Sequence, residues 1–122
     1  MSDNMIELGR RAVACRGWRW MRGMKTTTGD TFIAFADADE AYWLAHPDDP
    51  CEVDPIAGML PNLSDPATLG CLLALVREAY PDAYTVPQFG GGWEVASPVD
   101  ADVVGDGLTE AEALVAALEG AP

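Results

Sequence analysis

His46, Asp48, Asp49, Cys51, Glu52 and Asp54 crowd into the stretch HPDDPCEVD, residues 46–54, and each of them can ligate a metal or move a proton. Their spacing fits neither a zinc knuckle nor the calcium loop of an EF-hand, so a solvated acidic loop is the expectation. Cys51 with His46 offers a thiolate and a base, but both sit in a proline-rich loop with no third group to orient the imidazole. Asp37, Asp39 and Glu40 could supply paired acid and base carboxylates, yet nothing around them distinguishes them from the other acids of the chain. Gly90-Gly91-Gly92 lacks the lysine and the strand-to-helix setting of a phosphate loop and reads as a turn. No enzyme, metal or cofactor is expected from these residues.

A second kind of chemistry is offered by RGWRWMRGMK, residues 16–25, where Trp18 and Trp20 stand among Arg16, Arg19, Arg22 and Lys25. Basic side chains on phosphates with aromatic rings on unpaired bases is a combination that single-strand binders use. The alternative puts Trp18 and Trp20, two residues apart, on the buried face of a strand, with Arg19 opposite them facing this chain's own carboxylates. We favour internal counter-charge, because a formal net charge of −13 repels a polyanion from so small a chain.

The charge is unevenly placed. Residues 1–25 hold six bases against Asp3 and Glu7, whereas Arg77 is the only base against the eighteen acids of residues 26–122. A length of 122 residues, 49% hydrophobic, suits one domain with its own core, 1–122, built as 1–36, 37–64 and 65–120. The longest apolar run, Cys71–Val76, is too short to span a bilayer, and the start MSDNMIELGRR is unlike a secretion signal, so a cytoplasmic protein is expected. Cys15, Cys51 and Cys71 form no CxxC pair; Cys15 and Cys71 fall on apolar helix faces, as small buried thiols do.

The elements that position these residues follow from periodicity. Met5, Leu8, Ala12 and Cys15 recur at helical spacing, which predicts a helix over 4–16 stopped by Gly17. Aromatic and β-branched residues predict strands over 18–28 and 31–36, joined as a hairpin at Gly29-Asp30. Residues 37–64 carry four prolines and read as a short helical turn at 40–45 followed by a surface loop. Ser64-Asp65-Pro66 caps a helix that is apolar nearly all round, and such a helix belongs in the middle of a domain. Residues 83–89 and 93–97 predict a second hairpin, and Thr109 with Glu112 a capping box before a last helix ended by Gly120. Aligning Leu8-Gly9 with Leu69-Gly70 hints at a repeated helix and hairpin. The fold class expected is α+β, a helix-hairpin-loop-helix-hairpin-helix chain with one antiparallel sheet of about four strands.

GWRWMRGM followed by LPNLSDPATLGCLLALVREAY, the hairpin WEV and the closing TEAEALVAAL resembles a group of small uncharacterised phage and prophage proteins over residues 5–120. There is a fainter similarity to the phage α/β/α-sandwich domain. The resemblance implies phage origin and a compact α/β fold, and it carries no functional residues across. Proline often follows the methionine of GWRWM in such proteins, where this chain has Arg22.

A very acidic chain with no catalytic set is suited to meeting a positively charged surface. The expectation is a stoichiometric inhibitor, similar to an anti-CRISPR protein or nucleic-acid mimic, of a host defence or nucleic-acid-processing complex. Its partner is the basic surface of a host protein or ribonucleoprotein. The expected contacts are Asp37, Asp39, Glu40, Trp43, Asp48, Asp49, Glu52 and Asp54, extended by Asp100, Asp102 and Asp106. Tyr42-Trp43-Leu44 is either core or an interface anchor. The alternatives are a nucleic-acid-binding accessory protein using Arg16, Trp18, Arg19, Trp20, Arg22 and Lys25, or a phage structural protein that pairs through hairpin edges.

Overall fold

The computed structural model describes residues 3–28, 31–35, 42–45, 53–55, 59–99 and 102–121. Its elements run α1 (Asp3–Val13), β1 (Thr31–Phe35), β2 (Tyr42–Ala45), β3 (Val53–Pro55), α2 (Pro66–Ala79), β4 (Tyr84–Pro87), β5 (Trp93–Ser97), β6 (Asp102–Gly107) and α3 (Glu110–Glu119). The chain is α+β, but its six described strands form two three-stranded antiparallel meanders, β1-β2-β3 and β4-β5-β6, where one sheet of about four was expected.

α3 organises the core. It packs on all three strands of the second sheet and on both other helices. Ala113, Leu114, Val115 and Ala117 are fully buried, with Leu72, Leu75 and Val76 of α2 and Leu8 and Ala12 of α1 in the same cluster. The middle position expected for α2 therefore belongs to α3. The reason is side-chain size: β6 presents Gly105 and Gly107 to the alanine-rich face of α3. A Cβ added at Gly105 would stand 2.4 Å from the Ala113 carbonyl oxygen, and one at Gly107 2.8 Å from the Ala113 nitrogen. Backbone meets backbone where no larger residue fits.

The helix termini follow their sequence signals. Asp65 caps α2, its Oδ2 accepting from the Thr68 N–H at 3.0 Å and from the Thr68 hydroxyl at 3.0 Å, with Pro66 in the first turn. Thr109 caps α3 by accepting from the Glu112 N–H at 3.1 Å. Glu112 reaches back to the Leu108 N–H at 2.9 Å, one residue before the position a capping box uses. α1 ends at Val13, short of Arg16, in tight turns where the Cys15 N–H donates to the Ala12 carbonyl and the Trp18 N–H to the Cys15 carbonyl.

Two further corrections fall in the first half. Residues 18–28 form no continuous strand: a turn from Met21 to Met24, with Gly23 at φ +97°, breaks the extended run. Beyond that turn the chain pairs elsewhere, the Thr27 N–H donating to the Leu60 carbonyl and the Asn62 N–H to the Lys25 carbonyl. Of the hairpin across Gly29-Asp30, a single bridge between Lys25 and Thr31 is present. β1 pairs instead with β2, Phe32 opposite Leu44 and Phe35 opposite Tyr42, so the described part of the segment expected as a helical turn, 42–45, is a strand. The loop expected after it contains β3, with Asp54 opposite Leu44. Each half thus has a helix followed by a three-stranded meander, but the residues do not superpose as the Leu-Gly alignment requires: Arg16 lies beyond the end of α1, whereas Arg77 is inside α2.

Candidate functional site

Among the described residues the base-free half of the chain supplies the most exposed surface of interest. Residues 78–122 contain nine acids and no lysine, arginine or histidine. In β4-β5-β6 the register sets Tyr84 opposite Ala96 and Ala96 opposite Val103, then Val86 opposite Glu94 and Glu94 opposite Asp106. The alternation of strands places these six on one face. The other face meets α3: Val95 and Ser97 are buried, and Thr85 donates its hydroxyl to Glu110 of α3 at 3.1 Å. β6 keeps this alignment through a bulge at Val104, which lets Gly105 oppose Val95.

At one end of the sheet the turn 88–92 and the residues after β6 frame an open groove of about 380 Å³, whose walls include Trp93, Glu94, Asp106, Leu108 and Glu112. Positive φ at Gly90, Gly91 and Gly92 forms the turn expected there. Phe89 at its tip and Leu108 on the groove's rim project into solvent.

The acidic residues expected as contacts divide. Asp37, Asp39, Glu40, Asp48, Asp49, Glu52 and Asp100, together with His46 and Cys51, lie outside the described residues. Trp43 is in β2, opposite Ala34 and Pro55, and Asp54 is in β3. Asp102 and Asp106 are exposed on β6. A strand, not a helical turn, therefore carries Tyr42-Trp43-Leu44.

The basic and aromatic segment is partly consumed by the fold. Trp18 and Trp20 lie edge to face, centroids 5.5 Å apart at 82°, and Trp20 is only 9% exposed, so its face is not offered to a nucleobase. They sit in an irregular segment, contrary to the strand expected. Arg19 pairs with Glu78 of α2, and Arg11 clamps Glu119 of α3, Nε to Oε2 at 3.1 Å and Nη2 to Oε1 at 2.5 Å. These hydrogen bonds hold the Glu78 and Glu119 carboxyls below their ordinary range. Arg16, Arg22 and Lys25 are exposed, and among the described residues no carboxylate pairs with them.

Neither described thiol is activated. Burial pushes both Cys15 and Cys71 above the ordinary cysteine value, and each is half-buried, Cys15 just beyond α1 and Cys71 within α2. Among the described residues no three histidine, cysteine or acidic side chains converge on a metal position, and no helix is long and apolar enough to cross a membrane.

Comparisons of the chain with protein-family models, with curated proteins and with solved structures gave no match. Function has to be argued from the surface itself. Sequence reasoning passed over Tyr84, Glu94 and Val103 and read Glu112 only as a helix cap, although the absence of any base after Arg77 is a signal readable without coordinates.

Proposed function

We propose that this chain acts by stoichiometric binding to a positively charged protein surface, as a phage-encoded inhibitor of a host defence or nucleic-acid-processing complex in the host cytoplasm. The observation that carries it is the division of charge: residues 78–122 hold nine acids without one base, and among the described residues only Glu78 and Glu119 of these are ion-paired, with Arg19 and Arg11. Uncompensated carboxylates on an exposed surface attract a cationic partner and speed its association, and they can occupy sites meant for phosphates.

The test is capture of host proteins on the immobilised chain with and without nuclease, then measurement of the association rate of the retained protein against salt. A rate that falls with salt and collapses when Asp37, Asp39, Asp48 and Asp49 are reversed to lysine supports the inhibitor and its acidic contacts. Indifference to both sinks them. Arg16, Arg22 and Lys25, exposed and unpaired among the described residues, favour a second possibility, an accessory nucleic-acid binder. It requires salt-dependent binding of a single-stranded oligonucleotide that disappears on Arg16→Ala and Arg22→Ala with Lys25→Ala.

A further inference from the structure

All five large apolar side chains exposed among the described residues, Tyr84, Phe89, Val99, Val103 and Leu108, lie on the sheet β4-β5-β6 or the turns at its ends. The helices cover only one face of that sheet. On the other, Tyr84, Ala96 and Val103 form an apolar row across the three strands, and Val86, Glu94 and Asp106 form the row beside it. Tyr84 is 47% and Val103 53% exposed.

A sheet face that only meets water is ordinarily polar, with opposite charges across its strands. This face departs on both counts. An apolar row is left open, and Glu94 stands directly opposite Asp106, a like-charge pair that destabilises the ladder. Neither carboxylate has a cationic partner among the described residues. Glu112 faces the same end groove and brings a third carboxylate near them. Both unfavourable features are relieved by one occupant, a segment that is apolar and cationic together.

We infer that the open face of β4-β5-β6 is the contact surface of the binding function proposed above, and that it takes a basic amphipathic segment of another protein, lysine or arginine interleaved with apolar side chains. The apolar row receives the apolar side chains, and a cation bridges Glu94 and Asp106 at the mouth of the groove. A second copy of this chain would set acid against acid, each copy at −13. An anionic lipid surface or a nucleic acid meets the same repulsion.

The experiment uses the full chain, 15N-labelled, titrated with a synthetic peptide alternating lysine and valine, and with alternating glutamate-valine and plain oligolysine peptides as controls. The lysine-valine peptide is expected to move the amide resonances of Ala96, Val103 and Asp106, and to bind more tightly than either control. Asp106→Lys is expected to weaken it about tenfold, since like charge at a contact is costly. The same substitution turns the Glu94 pair into an attractive one and raises the melting temperature. Lost binding with gained stability separates a contact residue from a structural one. Resonance changes confined elsewhere, equal binding of oligolysine or of the glutamate-valine peptide, or an Asp106→Lys chain that binds as before would each overturn the assignment. So would a single-stranded oligonucleotide that moves the same amides. Reversal of Asp37, Asp39, Asp48 and Asp49 is measured in parallel: if that alone abolishes binding, this face is wrong and the proposed function stands, and if neither set matters both fall.

Discussion

Gly105→Ala tests the packing that holds the sheet to its helix. Replacing glycine by alanine within a strand ordinarily stabilises it by about 0.5–1 kcal/mol through backbone entropy. Here the new Cβ would lie 2.4 Å from the Ala113 oxygen, 2.6 Å from the Ala117 nitrogen and 2.8 Å from the Ala117 Cβ. Ordinary contact needs roughly 3.5 Å, so α3 must retreat by about 1 Å. None of these atoms is a flexible side-chain end, and the helix that must move carries Leu114 and Val115, both fully buried between its neighbours. Overpacking of this kind costs about 1–3 kcal/mol or more. The net expectation is a loss of about 2 kcal/mol, a fall in melting temperature of roughly 6–10 °C for a chain of this size. The control is Gly70→Ala in α2, where nothing lies within 4 Å and a gain of about 0.5–1 kcal/mol is expected. Urea unfolding followed by tryptophan fluorescence reads both. A Gly105→Ala midpoint equal to or above that of the parent, at unchanged slope, would refute direct backbone contact between β6 and α3.

Three other outcomes are expected. The Arg11 clamp lowers the Glu119 carboxyl in the folded chain, so its contribution is complete above the ordinary value of 4.5 and fades as pH falls through the folded value. With both side chains about 40% exposed, Glu119→Gln should cost only about 0.5 kcal/mol at neutral pH, and that deficit should shrink as pH falls below the ordinary carboxylate value; a deficit independent of pH contradicts the pair. Cys15 and Cys71, raised by burial, should alkylate more slowly than a free thiol at neutral pH, as peptide mapping after iodoacetamide would show. The Trp18 Nε1 is buried without an acceptor among the described residues, so Trp18→Phe should cost less than about 1 kcal/mol, because removing an unsatisfied donor offsets the lost ring area. Trp20→Phe is the comparison, and a greater loss at Trp18 would be the wrong sign.

Legibility in the sequence tracked how local each signal was. α2, α3 and the β4-β5 hairpin are written in caps, periodicity and a glycine turn within a few residues of where they act, and the structure places all three close to expectation. β6 was hidden because Gly105, Asp106 and Gly107 are poor strand formers, and the two glycines are required by the approach of a helix that lies further along the chain. The first half failed differently. Trp18 and Trp20 signal burial, and burial alone does not specify a strand, whereas the pairing partner of β1 is the segment 42–45, whose alanine and leucine read as helical. Strand pairing leaves little trace in local composition where the paired segment itself lacks β-branched residues. Of the candidate surface, its charge was readable and its shape was not, since the apolar row joins residues from three strands.

The two halves of the charge distribution are parts of one arrangement. α3 separates the layers: α1 and α2 pack on it, and so does the sheet β4-β5-β6. The bases of the first 25 residues lie with α1 and the turns after it, where Arg11 and Arg19 neutralise Glu119 and Glu78 and fasten the N-terminal segment to the other helices. Exposed ion pairs of this kind add little stability, and they place cations away from the sheet. Among the described residues the carboxylates of β5 and β6 have no cationic partner. A chain arranged in this way has an electrostatic polarity as well as a net charge. On the binding function proposed above, a cationic partner would be turned toward the open sheet before contact. On the same proposal, Arg11 and Arg19 would serve recognition indirectly, by pairing with helix carboxylates and leaving Glu94 and Asp106 without a cation among the described residues.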